Sequence, residues 1–186
     1  MFLILRSILL SIVDRIRAAR DPIGFVRSLG VRAGDNVNFY GVSKAMFGSE
    51  PWMISFGNDC YIAAGVQFIT HDGATSILRK EVPTLEWTAP IDIGNDVMIG
   101  LRTIIMPNVK IGNRCIVGAG SVVSKNIPDN SVYAGVPAKY ICSTDEYLAK
   151  MKAKSLGCGH LHGEEKAKRI REIYQEKGWF DRSKAE

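Results

Sequence analysis

The chain has 186 residues, 46% of them hydrophobic, which is enough for one buried core with appendages and too short for two full domains. Its formal charge of +5 sits in the flanks: residues 1–30 carry five Arg against two Asp, residues 31–141 nine basic against nine acidic groups, and residues 142–186 ten against eight. A balanced middle excludes a nucleic-acid-binding surface there, since phosphate binding needs clustered Lys and Arg.

Residues 1–20, MFLILRSILLSIVDRIRAAR, place Phe2, Leu5, Leu9, Ile12 and Ile16 at three- and four-residue spacing, with Ser7, Ser11, Asp14 and Arg17 on another side. That spacing predicts an amphipathic helix. Arg6 and Asp14 interrupt it too soon for a transmembrane span of about 20 apolar residues. No small-residue cleavage site follows the apolar stretch, and Arg15, Arg17 and Arg20 lie downstream of it, so a signal peptide is not expected. The favoured reading is a helix packed on the rest of the chain or on a neighbouring subunit. The second is peripheral membrane contact through residues 1–20 as a basic, apolar-faced helix. Pro22 and Gly24 are expected to close it.

From Val31 a six-residue rhythm begins weakly (VRAGDN, VNFYGV) and is lost in the thirteen residues from Ser43 to Ser55, one more than two hexads, so a bulge or corner loop is expected there. Trp52 fits either core or rim. The rhythm returns at Phe56, Ile62 and Phe68, then stops after His71 for nineteen residues, Asp72 to Pro90. DGATSILRKEVPTLEWTAP is too apolar for a solvated linker and is expected to fold over a coil face or an acceptor.

From Ile93 to Pro128 the period is strict. Ile93, Ile99, Ile105, Ile111, Val117 and Val123 recur every six residues, and four of them are followed by Gly94, Gly100, Gly112 and Gly118. Six is a multiple of the strand period of two and a poor match to the 3.6 residues of a helical turn, so short strands broken by turns are predicted. A second inward position falls four residues on, at Val97, Thr103, Val109, Cys115, Ser121 and Ile127, mostly small or β-branched. The glycines are expected at the corners, taking φ > 0. Of the four cysteines, Cys60 and Cys115 share the inward fourth position, while Cys142 and Cys158 lie in the tail. With no secretion signal, this pattern points to a reducing cytoplasm.

Hexapeptide repeats of this kind mark a parallel β-solenoid. On these hexads, and on the continuation NIPDNSVYAGVPAKYI (126–141), the chain resembles the left-handed β-helix acyltransferases of the hexapeptide-repeat type, above all the bacterial sugar O-acetyltransferases of capsule, O-antigen and exopolysaccharide biosynthesis. The resemblance covers roughly residues 31 to 141. It implies an all-β solenoid, a left-handed parallel β-helix over 31–141 with a protruding loop at 72–90, an N-terminal amphipathic helix within 1–30 and a C-terminal helical extension over 142–186. The left hand comes from the resemblance alone, since parallel crossovers are in general right-handed. The tail itself predicts two solvent-faced helices, with mixed charges at Glu164, Glu165, Lys166, Lys168, Arg169, Arg171 and Glu172, split at Gly157 to Gly163. Cys158, His160 and His162 match no common zinc spacing, so no metal is expected.

Three histidines exist, and His71 alone lies at the edge of the regular coils, next to the long loop. Acyl transfer from a thioester to a hydroxyl needs a base, and neutral imidazole suits it. The resemblance gives His71 that role and makes acetyl-CoA the co-substrate. It further implies the N–H of Leu101 as oxyanion donor and a CoA path along Met98, Gly100, Leu101, Gly118, Ala119, Gly120, Ser124, Lys125, Ala138 and Lys139, with a lysine near phosphate. Met98 stands where the family often has Trp or Phe, and Leu101 where it often has a polar residue. Asp72, Arg79, Glu86 and Trp87 are the candidate acceptor-binding residues. The family also implies a homotrimer with shared clefts and, as acceptor, a sugar or a nucleotide- or lipid-linked sugar. The alternatives are an amino-sugar N-acetyltransferase, an antibiotic O-acetyltransferase, a non-catalytic scaffold, and a γ-carbonic-anhydrase-like protein, which needs three histidines on coil faces where only His71 qualifies.

Overall fold

Alternation along each hexad becomes a three-faced coil in the computed structural model, which describes residues 12–180. One face stacks β1 (Arg32–Ala33), β3 (Ile54–Phe56), β6 (Ile91–Ile93) and β9 (Lys110–Ile111). A second stacks β2 (Asn38–Phe39), β4 (Tyr61–Ile62), β7 (Met98–Ile99), β10 (Ile116–Val117), β12 (Ser131–Ala134) and β13 (Lys139–Ser143). The third holds β5 (Gln67–Phe68), β8 (Ile104–Ile105) and β11 (Val122–Val123). From β3 to β11 the chain visits the faces in strict rotation, and every strand pairing is parallel except β12 with β13, an antiparallel closing hairpin.

Each coil buries the two residues that the period assigns inward. Ile93, Ile99, Ile105, Ile111, Val117 and Val123 are buried, and so are Val97, Thr103, Val109, Cys115, Ser121 and Ile127. The two hydroxyls in these rows are satisfied within the coils: Thr103 Oγ1 and Ser121 Oγ both donate to the Gly118 carbonyl, at 3.1 and 2.6 Å.

The corner glycines act differently from expectation. Gly94, Gly100, Gly112 and Gly118 are not the positive-φ residues; that conformation falls two positions later, on Asp96, Arg102, Arg114 and Gly120, and likewise on Asn36 and Asp59 after Gly34 and Gly57. Asn and Asp enter the left-handed region more readily than other side chains because a short polar group can hydrogen-bond locally, while Arg102 and Arg114 take the same corner conformation with the ordinary Cβ cost. The glycines answer to stacking. A Cβ on Gly94 would stand 2.8 Å from the backbone of Gly112, and one on Gly100 would stand 2.4 Å from the Ala119 nitrogen. One column is also bound side chain to backbone. The Oδ1 atoms of Asn58, Asn95, Asn113 and Asp129 accept from the N–H of Asp35, Asn58, Asn95 and Asn113 in turn, at 2.7 to 2.9 Å. Gly94→Ala is therefore expected to lower stability by about 1–3 kcal/mol, the usual cost of overpacking, read as a lower urea midpoint. An unchanged midpoint would show that the coils do not need this close approach.

The first coil has no strand on its third face. In its place two 3-10 turns, Lys44–Phe47 and Pro51–Met53, absorb the thirteen-residue stretch. Phe47 is buried and stacks on Phe68 at 5.8 Å, while Phe39 and Phe56 meet these rings edge-on, so four aromatics fill the start of the core. Trp52, 58% exposed, belongs to the rim.

Residues 12–20 are helical, and residues 1–11 of the predicted amphipathic helix lie outside the described residues. Pro22 does not simply close that helix. It opens α1 (Pro22–Ser28), whose N-cap Asp21 accepts from the Gly24 N–H at 2.9 Å, because a proline at the first turn loses no hydrogen bond. The chain divides into two compact units at Thr144/Asp145. The second contains α3 (Thr144–Lys154) from its second residue on and α4 (Gly163–Glu176), numbered after the short α2 (Thr75–Leu78) of the long loop; Gly157 lies between them and Gly163 opens α4, both at positive φ. Among the described residues no helix is long and apolar enough to cross a membrane.

Candidate active site

The insertion in the first coil and the interruption of the second meet at one corner. His71 follows Phe68 by three residues, the place Asn108 holds after Ile105 in the next coil. Its Nδ1 lies 2.9 Å from Glu50 Oε2. Glu50 occupies the N-cap position of the second 3-10 turn without a side-chain cap bond, so its carboxylate is free to face the histidine. The buried Thr70 hydroxyl donates to the same Oε2 at 2.7 Å. That bond, with smaller contributions from the hydrogen bond and charge of His71, outweighs partial burial and holds the Glu50 carboxyl below its ordinary value. An ionised carboxylate only accepts, so the proton of neutral His71 sits on Nδ1 and the other ring nitrogen, Nε2, is left as acceptor.

The long loop closes over this pair from a stitched base. His71 and Thr88 form an antiparallel bridge, Asp72 N–H donates to the Trp87 carbonyl at 3.0 Å, and Ala89 N–H donates to Thr70 at 2.7 Å. Within the loop, Asp72 Oδ1 accepts from Ala74 N–H at 2.9 Å, α2 follows, and Arg79 donates to the Leu85 carbonyl at 2.9 Å and pairs with Glu86. Beneath it lies a cavity of about 440 Å³, lined by Glu50, His71, Asp72, Thr75, Arg79 and Glu86 among others. The size suits a small polar ligand.

Three of the four residues assigned to the acceptor from the sequence, Asp72, Arg79 and Glu86, thus meet His71. Trp87 does not. It stands 46% exposed outside the cavity, because its backbone is tied into the loop base while its side chain points away. The apolar side chains of the loop, Ile77, Leu78 and Val82, are exposed too, so the loop covers the cavity with its polar residues. Glu50 was missed by sequence reasoning. The available signal was its position as the one acid in the thirteen-residue stretch that breaks the rhythm.

The residues assigned to the cofactor form a separate group. Gly100–Leu101 and Gly118–Ala119–Gly120 are one corner in successive coils, between the second and third faces, joined by the Gly120 N–H to the Leu101 carbonyl at 2.7 Å. Met98 and Leu101 are exposed, as are Ala119, Ser124, Lys125 and Lys139, and Ala138 donates its N–H to the Val122 carbonyl at 2.8 Å. Ser124 and Lys125 share the corner type of His71, two coils on. His71 and Leu101 therefore occupy different corners of the three-faced unit and are not brought together within it.

A covalent route through cysteine has no support in the coils. Cys60 and Cys115 are buried, their thiols donate to the Gly94 and Pro128 carbonyls at 3.2 and 3.1 Å, and burial pushes both above the ordinary thiol value.

Comparison with known proteins agrees with the repeat. Residues 90–125 match the family described as bacterial transferase hexapeptide (six repeats). The chain is 48% identical over 126 residues to Protein CapG of Staphylococcus aureus, covering 68% of this chain and 73% of that one. It is 39% identical over 93 residues to galactoside O-acetyltransferase of Escherichia coli (strain K12), 50% of this chain and 45% of that one. A putative lipopolysaccharide biosynthesis O-acetyl transferase of the same strain, WbbJ, is 39% identical over 98 residues, 47% of this chain and 49% of that one. The chain spans less than half the length of these last two relatives. The unbroken hexads and the extent of identity to CapG show that the chain belongs to the bacterial transferase hexapeptide family.

Proposed function

We propose that the protein is an acetyl-CoA-dependent O-acetyltransferase acting on a hydroxyl of a sugar or polysaccharide precursor. The observation that carries this reading is the His71–Glu50 pair opening into a polar cavity roofed by the loop at 72–90. The names of WbbJ and galactoside O-acetyltransferase point the same way.

Direct transfer accounts for the residues present. His71 Nε2 takes the proton of the acceptor hydroxyl as its oxygen attacks the thioester carbonyl of acetyl-CoA. The Leu101 N–H holds the tetrahedral oxyanion. Collapse breaks the carbon–sulfur bond, and the proton on His71 passes to the departing CoA thiolate. Glu50 stabilises the transient imidazolium. CoA is proposed to run past Met98, Gly100, Gly118, Ala119, Gly120 and Ala138, with Lys125 or Lys139 near its phosphates. Because His71 and Leu101 sit at different corners, the proposal joins them across a boundary between copies of a left-handed β-helix, in a cyclic homotrimer. A cytoplasmic location, where acetyl-CoA is present, fits this chemistry.

Purified protein, acetyl-CoA and a panel of sugars, nucleotide-sugars, amino-sugars and antibiotics, followed by a thiol-reactive dye, test the assignment. Sugar-dependent thiol release at a hydroxyl is expected; release with amines or antibiotics alone would move the acceptor class. Arg79→Ala should raise the acceptor KM about 10-fold or more with little change for acetyl-CoA, since it breaks the pair with Glu86 that forms the cavity wall. Equal loss for both substrates would place Arg79 outside the acceptor site.

A further inference from the structure

The helix at residues 12–20 presents its apolar side away from the coils. Ala18 is its one buried residue, and it lines a groove with Pro22, Phe39 and Val42 of the coil unit. Ile12, Val13 and Ile16 are 47%, 42% and 47% exposed. Turning 100° per residue, these three fall in an arc of about 100°, with Arg20 inside its edge and Arg17 beyond it, while Arg15 lies on the other side and lines the groove with Ala18. In the sequence, Leu9, Leu5 and Phe2 precede them at the same three- and four-residue spacing. A helix that stabilised the coils by its apolar stripe would turn that stripe inward. This one turns alanine inward and leaves branched aliphatics outside, with Arg17 and Arg20 beside them.

We propose that this face docks on an anionic lipid bilayer surface, lying in the interface rather than spanning it. Two features select that occupant. An exposed aliphatic arc can enter the headgroup boundary, and the exposed Arg17 and Arg20 beside it complement anionic headgroups. Docking would hold the acyltransferase where lipid-linked sugars are presented, but the interaction stands on the helix alone and does not depend on the acceptor's identity.

Sedimentation of the full chain with vesicles tests it. Binding is expected to phosphatidylcholine vesicles containing about one third phosphatidylglycerol, at least about 10-fold stronger than to phosphatidylcholine alone, and weakened by salt. The double variant Ile12→Asp, Ile16→Asp is expected to lower binding about 10-fold or more, at unchanged oligomeric mass and melting temperature. Should that variant fail to fold, Arg17→Gln with Arg20→Gln, both exposed, must weaken binding to the anionic vesicles selectively. Failure of the wild-type protein to sediment with anionic vesicles, or undiminished binding by folded variants, overturns the proposal. A fall in oligomeric mass on changing Ile12 and Ile16 also overturns it, and assigns the stripe to a second copy of this chain.

Discussion

Replacing His71 by Ala is expected to lower turnover by about two to four orders of magnitude, the range that a general base contributes. Folding should survive, because the side chain is 36% exposed and lies outside the buried rows of the coils. CoA affinity should survive too, since of the residues assigned to CoA only Ser124 and Lys125 share its corner type, and they lie two coils on. Calorimetric titration with CoA separates the two effects. A variant that binds CoA normally and turns over slowly fits the base; one that loses CoA binding instead would make His71 part of the cofactor site.

The second large effect is expected at Glu50. Glu50→Gln keeps shape and removes charge, and its amide can donate to Nδ1, which places the imidazole proton on the wrong nitrogen. A loss of about two to three orders of magnitude in kcat is expected, with KM for either substrate little changed. The readout that separates positioning from mere support is the conservative swap. Glu50→Asp should recover part of the rate, because it restores an acceptor-only group, whereas a purely structural Glu50 would tolerate Gln better than the shorter Asp. The depressed carboxyl value carries a further consequence. Glu50 is held ionised in the fold, so its contribution to stability is present above the unfolded carboxylate value and is lost as pH falls through the lowered folded value. Acid should therefore loosen the 3-10 turn at Pro51–Met53 in the native protein more than in Glu50→Gln.

The coils could be read from the sequence because their physics is local and periodic. Ile93 to Val123 at a spacing of six, with Val97 to Ile127 four residues behind, leaves one arrangement of inward and outward residues, and the buried rows follow it. The corner glycines show where that logic ends. Their spacing was visible, but stacking of Gly94 on Gly112 and of Gly100 on Ala119 is a contact between coils, and no single hexad contains it. Pro22 was read as a stop when Asp21 before it was a cap. In the candidate site His71 stood out by its place beside the break in the repeat. Glu50 did not, because the contact between them spans 21 residues and depends on how an irregular stretch folds. Trp87 was chosen for its chemistry, and the backbone pairing that turns it outward has no sequence signature.

The most direct test of the account is the pH dependence of acetyl-CoA-driven thiol release with an active sugar acceptor, measured for the wild-type protein and His71→Ala side by side. If His71 is the base, the variant is slower than the wild-type protein by about two to four orders of magnitude and its rate no longer follows the wild-type pH profile. A His71→Ala protein that kept the wild-type pH profile at a rate near wild type would contradict the account.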